Sequence, residues 1–325
     1  MPRPPAPLPR SLGDAFRVGD GIQAGVSASR LRSRDLVAPF HGVRTRALPP
    51  SAPGADAVSV DDPSARDRAV RERTLRSAVA YATVMPASAF FTGRTAAILY
   101  GLPLDPGDGL DLGVVAPSRA PRGAGIRGVK IEGHLVRLRT VDGLPLSSPA
   151  STWAILGREL SVRELVIVGD AIVRIPRGRS GIPLPDARIG TLAQLAAATD
   201  AGPRRGVARL RAALPLIREG SSSPLESSFR LDAEAAGLPR PDLDVEIRDP
   251  RGKLLGISEI VYREHGVVVE VEGDHHRTSR AQWDRDLEKY AAYAAAGWEV
   301  VRITSTHLRQ RRAVDLVRAA LARHE

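Results

Sequence analysis

The sequence predicts an α+β protein built from several domains. The chain has 325 residues, enough for two or three domains at roughly 100–200 residues each. Apolar residues alternate with a period of two in some segments, as in strands, and recur at helical spacing in others. Residues 49–68 are rich in Pro, Ser, Ala, Gly and Asp, which indicates a linker. We therefore expect domains at residues 1–48, 69–215 and 221–325.

The composition excludes several classes of protein. The chain contains no cysteine, which excludes disulfides, thiolate zinc sites and a cysteine nucleophile, and which fits a protein of the reducing cytoplasm. Neither a secretory signal nor an apolar run long enough to span a bilayer is visible, so we expect a cytoplasmic protein without a membrane partner. A glycine-rich phosphate loop is also missing, so we expect no nucleotide cofactor.

Positive charge is concentrated in the first two thirds of the chain. The formal net charge is +10, yet residues 221–325 contain 16 basic and 18 acidic residues, so residues 1–220 carry +12. A basic surface favours a polyanionic partner, because lysine and arginine neutralise phosphates. We expect DNA to be that partner and to bind mainly through the N-terminal part. Solvated surface arginines would give the same composition.

Residues 1–48 have the order of a winged helix-turn-helix. A helix is expected at residues 14–24, a second helix follows Ser27 as its N-cap, and residues 39–46 fit a strand–turn–strand wing. Arginines follow the second helix and one face of the wing, where they would contact DNA phosphates. These candidate DNA-binding residues are Arg30, Arg32, Arg34, Arg44 and Arg46.

The middle region is expected to mix helices and strands. Its predicted helices cover residues 69–83, 93–100, 149–153, 161–173 and 205–216, and its predicted strands cover residues 110–115 and 129–138. Thr191 and Gln194 form the pattern of a capping box and predict one more helix.

The last domain shows a clear succession of elements. Ser223, Pro224 and Glu226 are suited to the N-cap, N1 and N3 positions of a helix that ends before Gly237. Three strands follow, then a helix, a strand and a final helix, so the order is α-β-β-β-α-β-α. The predicted bounds are residues 224–236, 245–248, 254–262, 267–272, 280–296, 298–303 and 305–323.

The second and third of these strands should form a hairpin that brings carboxylates together. A turn centred between residues 264 and 265 would place Glu259 opposite Glu270, on the same face as Glu272. Like charges facing each other destabilise a hairpin unless they are fully hydrated or bind a cation. A hard cation such as Mg²⁺ takes carboxylate ligands together with waters and phosphate oxygens. The pattern therefore predicts a magnesium site at these glutamates.

Other candidate site residues have plainer interpretations beside the functional one. Glu226 could lie near the metal, could only close the capping box, or could do both. A zinc site at His275 and His276 would find only His265 near in sequence, so we expect no zinc. The aromatic residues of the last domain have the spacing of core residues; they are Trp283, Tyr290, Tyr293 and Trp298.

Several motifs resemble a known group of proteins. Gly25-Val26-Ser27, with Arg30-Leu31, Asp35-Leu36 and the stretch 39–44, resembles the winged-helix start of actinobacterial proteins related to abortive-infection-type antitoxins. Motifs of the middle region resemble the same proteins; they are residues 91–97, 100–103 and 146–150 with Trp153. The resemblance implies DNA binding and a toxin-type protein partner.

The last domain resembles the very-short-patch-repair-like domain of the PD-(D/E)XK superfamily, a restriction-endonuclease-like α/β fold. The motifs are residues 269–273, His276, Asp286, Gly297-Trp298 and Arg302. The resemblance implies Mg²⁺-dependent phosphodiester hydrolysis. It places Glu259 at the core aspartate and Glu270 at the core glutamate, which hold the metal, and Glu272 at the motif lysine. It makes His276 a candidate general acid or base, and Glu226, Asp286 and Arg302 auxiliary residues.

Two departures from that pattern leave the activity open. Glu stands at 259 where the family has Asp, and no Lys follows Glu270 on its strand. Lys253 and Lys289 are off this strand, so neither is expected to replace the motif lysine. We expect either a DNA endonuclease or an antitoxin-type transcriptional regulator with a degenerate, non-cleaving nuclease domain. A repair factor acting on RNA or branched DNA is a third, weaker interpretation.

Overall fold

The computed structural model describes residues 5–47, 63–178, 180–272 and 280–324. It is a mixed α/β protein with three sheets, as expected for an α+β chain. The described residues divide into two compact units, one ending at Ile155 and one beginning at Leu156, with residues 63 and 64 grouped with the second. Within the described part of the chain, no helix has both the length and the apolar character needed to cross a membrane.

The N-terminal unit contains two of the sheets. Its elements are β1 (Ala15–Arg17), α1 (Val18–Gln23), β2 (Leu36–Val37), β3 (Val43–Arg46), α2 (Pro63–Ala82), β4 (Ala89–Phe91), α3 (Gly93–Leu99), β5 (Leu110–Val115), β6 (Arg122–Gly123), β7 (Ile126–Ile131), β8 (Leu138–Val141), β9 (Leu144–Ser147) and α4 (Pro149–Leu156). Short 3-10 helices lie at Arg30–Arg32 and Gly133–Leu135.

The first 47 residues differ from the expected helix-turn-helix. Residues 15–17 pair with β3 as a strand, so α1 begins at Val18 and not at residue 14. The expected second helix is a single 3-10 turn, Arg30–Arg32. Serine side chains explain the difference, because Ser27 accepts from the Arg30 backbone and Ser33 donates to the Arg30 carbonyl. An antiparallel strand pair is present, but only β3 lies within the segment 39–46 predicted for the wing; its partner β2 comes earlier, at Leu36–Val37.

The middle of the chain forms a six-stranded mixed sheet in the order β6-β7-β5-β4-β9-β8. The strand predicted at 110–115 is confirmed as β5, while the segment predicted at 129–138 is divided between β7 and a 3-10 turn. Pairs β5–β7 and β4–β9 are parallel and the others are antiparallel. Phe91, Leu112 and Leu146 are fully buried under α2 and α3.

The C-terminal unit begins with helices and ends with the third sheet. Its elements are α5 (Val162–Val173), α6 (Leu192–Asp200), α7 (Val207–Ala213), α8 (Pro224–Ala235), β10 (Asp242–Arg248), β11 (Leu254–Tyr262), β12 (Val267–Glu272), α9 (Arg280–Ala295), β13 (Glu299–Thr304), α10 (Ser305–Arg309) and α11 (Ala313–Leu321). Short 3-10 helices lie at Pro185–Ala187, Leu214–Leu216 and Arg263–His265.

The order predicted for the last domain is present, with one difference at its end. The sheet runs β10-β11-β12-β13, with β12 and β13 parallel and the other pairs antiparallel. The final helix is divided into α10 and α11, because Arg311 adopts a left-handed backbone conformation with φ of 57°. The capping box at Thr191 and the N-cap at Ser223 are both confirmed.

The third sheet is covered on both faces. Val267, Val269 and Val271 lie in the core shared with α8 and α11. Val268 lies on the opposite face, with Tyr293 of α9. This alternation is the one that the sequence predicts for β12, and it leaves Glu270 as a charged residue on a buried strand.

The helices before residue 221 belong to the same compact unit as this sheet. We expected a boundary between residues 215 and 221, but the division lies near residue 155. A buried ion pair joins the two parts: Arg230 of α8 donates to Asp170 of α5 over 2.9 Å. Asp170 also accepts from Ser227 over 2.7 Å and from the Arg218 backbone over 2.8 Å. The side chains of Asp170 and Arg230 are 1% and 0% exposed.

We predict that Asp170→Ala lowers the free energy of unfolding by about 3–5 kcal/mol, because it leaves Arg230 as an uncompensated buried charge. Asp232→Ala is the matched control. This substitution breaks the ion pair between Asp232 and Arg163. Because the side chains of Arg163 and Asp232 are 42% and 45% exposed, the free energy of unfolding should fall by less than about 1 kcal/mol. Urea denaturation of both variants measures the difference, and equal losses would show that the Asp170 pair has no special role.

Candidate active site

The hairpin of β11 and β12 has the predicted register, but pairing ends before the carboxylates. Ile260 pairs with Val269, Val261 with Val268 and Tyr262 with Val267, as a turn centred at residues 264 and 265 requires. Beyond these pairs the strands separate. Asp244, on the neighbouring strand, has a left-handed φ of 54° at this level of the sheet. A local opening of the sheet is therefore present beside Glu259 and Glu270.

Glu270 is held by a small network of polar side chains. Its Oε1 accepts from Ser258 Oγ over 2.8 Å and from Lys289 Nζ over 2.9 Å. Ser258 Oγ also lies 3.0 Å from Tyr293 Oη. Glu270 is only 7% exposed and Ser258 is fully buried. The carboxylate is thus fixed in place by a cation and a hydroxyl before any ligand binds.

Glu259 lies beside this network, and its surroundings favour the protonated, neutral form of its carboxyl group. Its Oε2 accepts from the Val271 backbone N–H over 3.2 Å. The pKa of Glu259 is raised to about 8, most of all by burial and then by the charges of Glu226 and Glu270. The opposing effect of Lys289 is smaller. Glu259 and Glu270 therefore interact electrostatically, as the sequence predicts.

Glu226 is the third member of this group. It is 2% exposed, and its Oε2 accepts from the Ser222 backbone N–H over 2.7 Å. Its own N–H donates to Ser223, so the residue also belongs to the start of α8. Burial raises the pKa of Glu226 to about 7, with Glu270 contributing in the same direction. We call Glu226, Glu259 and Glu270 the acidic cluster. The Glu226 side chain accepts from Ser222 and not from the N-cap Ser223, so it does not close the capping box that was one of its expected roles.

Glu272, which the sequence interpretation placed in this group, binds a cation of its own. Its carboxylate pairs with the guanidinium of Arg302, with Glu272 and Arg302 on the parallel strands β12 and β13. The guanidinium carbon of Arg302 lies 5.3 Å from the ring centroid of Tyr290. Glu272 also raises the pKa of Arg302, and the charge of Asp286 acts in the same direction. Glu272, Arg302 and Asp286 thus form a second group beside the acidic cluster.

Lys289 is the functional residue that the sequence interpretation missed. We excluded it because it is off β12, yet its Nζ reaches Glu270 from α9 and also donates to the Ile257 carbonyl over 2.9 Å. The ammonium lies 5.4 Å from the ring centroid of Tyr293, one helical turn along α9. Lys289 and Tyr293 are four residues apart, so the sequence predicts that they share one face of the helix. The distance between that face and Glu270 could not be predicted from the sequence.

Gly256 allows α9 to approach β11 this closely. A Cβ at residue 256 would lie 2.5 Å from Tyr293 Oη and 3.2 Å from Lys289 Cε. Real Cβ contacts are essentially never as short as the first of these distances. Any larger residue at 256 would therefore displace the side chains that orient Ser258 and Glu270.

The chemistry of the acidic cluster suits a hard cation. Among the described residues, no three His, Asp or Glu side chains are close enough together to hold a metal ion as they stand. Mg²⁺ commonly binds through only one or two carboxylates, with waters and substrate oxygens as its other ligands. Glu259 and Glu270 are therefore a sufficient donor set. His276, the predicted general acid or base, lies outside the described residues.

The predicted DNA-binding arginines have different surroundings. Arg30 donates to both carboxylate oxygens of Asp35, over 2.8 and 2.7 Å, and its side chain is 11% exposed. Arg44 donates to the Leu31 carbonyl over 2.7 Å. These two arginines therefore support the fold of the first 47 residues. The others are exposed; they are Arg32, Arg34 and Arg46.

The chain is similar to proteins of Mycobacterium tuberculosis. A protein named as uncharacterized from strain CDC 1551 / Oshkosh, and one from strain H37Rv, are each 28% identical to it over 189 residues. The match covers 58% of this chain and 64% of each relative, so the chain spans just under two thirds of the length of the curated relatives that it matches. No protein family matches the chain, and no solved structure does.

We predict that Gly256→Ala destabilises the C-terminal unit by about 1–3 kcal/mol, because the added methyl overlaps Tyr293 Oη. Adding Tyr293→Phe removes the overlapping oxygen and should recover part of the loss. Gly13→Ala, where nothing lies within 4 Å of the new methyl, serves as the control. Thermal unfolding of the variants measures the effect; a Gly256→Ala variant as stable as the Gly13→Ala control would contradict the proposed contact.

We predict that the acidic cluster makes stability fall with rising pH when no divalent metal is present. A carboxyl group whose pKa is raised by folding stabilises the folded state fully while the pH is below its usual pKa of 4.5. This contribution is lost as the pH rises through the pKa of the folded state, which is about 7 for Glu226 and about 8 for Glu259. Wild type should therefore lose more stability between pH 6 and pH 9 than Glu259→Gln. Urea denaturation in EDTA measures both, with exposed Glu264→Gln as the control; identical losses in wild type and Glu259→Gln would contradict the prediction.

Proposed function

We propose that the C-terminal unit is a divalent-metal-dependent endonuclease that hydrolyses phosphodiester bonds of DNA. The observation that carries the proposal is the convergence of Glu259, Glu270 and Lys289 where β11 and β12 separate. Buried carboxylates with a lysine bound to one of them are an expensive arrangement for a fold, since each charged group loses hydration. A cation and a phosphate would complete this arrangement.

The metal would be held by Glu259 and Glu270. Mg²⁺ at such a site supplies a Lewis acid that polarises a phosphoryl oxygen and lowers the pKa of bound water. The raised pKa of Glu259 follows from burial and from the neighbouring carboxylates, so binding of a cation requires that this group lose its proton. Metal affinity should accordingly increase with pH.

The chain's own side chains would assist at the phosphate. Lys289 holds a positive charge against Glu270, from where it can stabilise the negative charge that develops on a phosphate during attack. Glu226 has a pKa of about 7, which suits a group that accepts or releases a proton near neutral pH. Ser258, which is bound in turn to Tyr293, would orient Glu270.

One contact of the site supports the resemblance to the PD-(D/E)XK superfamily at a position where the sequence departs from it. The motif lysine is missing from β12, but Lys289 supplies an ammonium at the same glutamate from α9. This contact favours a cleaving domain over the degenerate alternative. The proposal is that Lys289 takes over the role of the missing lysine.

We predict that the full chain nicks supercoiled plasmid DNA with Mg²⁺ or Mn²⁺ and that EDTA abolishes the nicking. Glu270→Gln and Lys289→Gln should each lower the rate roughly a hundredfold or more, because each removes charge at the reacting phosphate. Glu264→Gln, an exposed carboxylate at the far end of the same hairpin, should nick like wild type. Nicking by wild type and Glu270→Gln at equal rates would reject the assignment.

The second candidate is a non-cleaving, antitoxin-type regulator that binds DNA and a toxin-type protein. The charge of +12 on residues 1–220 favours it, because DNA binding through that part of the chain needs no metal. The same experiment separates the two functions. Metal-independent DNA binding that depends on exposed Arg32 and Arg34, without nicking, would support the regulator.

A further inference from the structure

A basic residue, Arg174, lies near the Glu226 member of the acidic cluster. Arg174 follows the last residue of α5, and its backbone N–H donates to the Asp170 carbonyl over 2.9 Å. It therefore lies one helical turn beyond Asp170, on the same face of the helix. Asp170 is bound to Ser227, the neighbour of Glu226 in α8, over 2.7 Å. This connection places Arg174 beside the Glu226 end of the cluster.

The charge of Arg174 reaches the cluster. It lowers the pKa of Glu226, against the larger effect of burial. Arg174 is exposed, and its side chain makes no hydrogen bond or ion pair with another residue in the described ranges. Most other arginines of this unit are paired; Arg163, Arg177 and Arg230, for example, each bind an aspartate. An exposed cation next to the acidic cluster is available to an anionic ligand.

The loop that follows Arg174 is fixed against the sheet. Arg177 donates to both carboxylate oxygens of Asp244 on β10, over 2.8 and 2.9 Å, and to the Gly181 carbonyl over 2.6 Å. Leu184 N–H donates to the Pro176 carbonyl over 2.8 Å and closes the loop. A Cβ on Gly181 would lie 3.1 Å from Ile257 of β11, so the loop lies directly on the strand that carries Glu259.

The outer surface of the loop is unusually apolar. Ile182 is 63% exposed and Leu184 is 44% exposed. We call the described residues of this segment, 174–178 and 180–184, the α5 loop. Besides Arg177, which is paired with Asp244, the loop therefore offers one unpaired cation and two apolar side chains next to the acidic cluster. The backbone of a nucleic acid has phosphates and apolar sugar faces to match them.

We propose that the α5 loop forms one wall of the DNA-binding groove, with Arg174 bound to a backbone phosphate next to the one that the acidic cluster acts on. The proposal rests on the proposed function for the identity of the polyanion. The proposal adds a substrate contact made by the helical segment before residue 221. This segment lies outside the endonuclease-like elements at residues 221–325. Lys289 and Arg174 would hold successive phosphates on the two sides of the cluster.

Equilibrium binding of the full chain to a short fluorescein-labelled DNA duplex tests this contact. Binding is measured in Ca²⁺, at several salt concentrations, by fluorescence anisotropy. Arg174→Gln should weaken binding about tenfold and lower the slope of log affinity against log salt by about one, as expected for the loss of one phosphate contact. Arg174→Lys should fall between wild type and Arg174→Gln. Ile182→Ser should weaken binding without changing the slope.

The control is Arg251→Gln. Arg251 is an exposed arginine of the same unit, on the turn before β11, and its loss should change affinity less than twofold. Binding by Arg174→Gln equal to that of wild type, a wild type that binds no DNA, or a response confined to an RNA duplex of the same sequence would each overturn the inference. Plasmid nicking is scored separately: if wild type does not nick but Arg174→Gln still loses affinity, the proposed function fails and the contact stands.

Discussion

The organisation of the C-terminal unit depends on three carboxylates at the point where one hairpin opens, two of them buried and the third, Glu259, partly buried. Burial and the charges of neighbouring carboxylates raise the pKa of Glu226 and of Glu259. Burying like charges together costs free energy, which the fold offsets with hydrogen bonds from Ser222, Val271 and Ser258 and with the ammonium of Lys289. The cation proposed for this site would offset part of the same cost.

The helices that precede residue 221 contribute to this site through a second buried charge pair. Asp170 and Arg230 fix α5 against α8, and α8 carries Glu226. The α5 loop then lies against β11 through Arg177 and Gly181. The helical segment is therefore a part of the candidate active site, although the sequence placed it in a separate middle region.

Much of the local structure could be predicted, because it depends on near neighbours in sequence. The alternation of Val267, Val269 and Val271 gave β12 and its buried face, and the turn position gave the register of the hairpin. The prediction failed where residues close in sequence could form a different local structure with equally good contacts. Ser27 and Ser33 bind backbone groups around Arg30, so a 3-10 turn forms where apolar spacing and an N-cap favoured a helix.

By itself the sequence determined the α+β character, the order of elements in the last domain, and Glu259 and Glu270 as interacting carboxylates. Only the tertiary structure decided which residues complete the group. Glu272 pairs with Arg302, Glu226 enters from α8, and Lys289 enters from α9 through the space left by Gly256. The physical reason is that periodicity fixes the face on which a side chain lies, whereas the distance between faces of different elements depends on how the helices pack on the sheet.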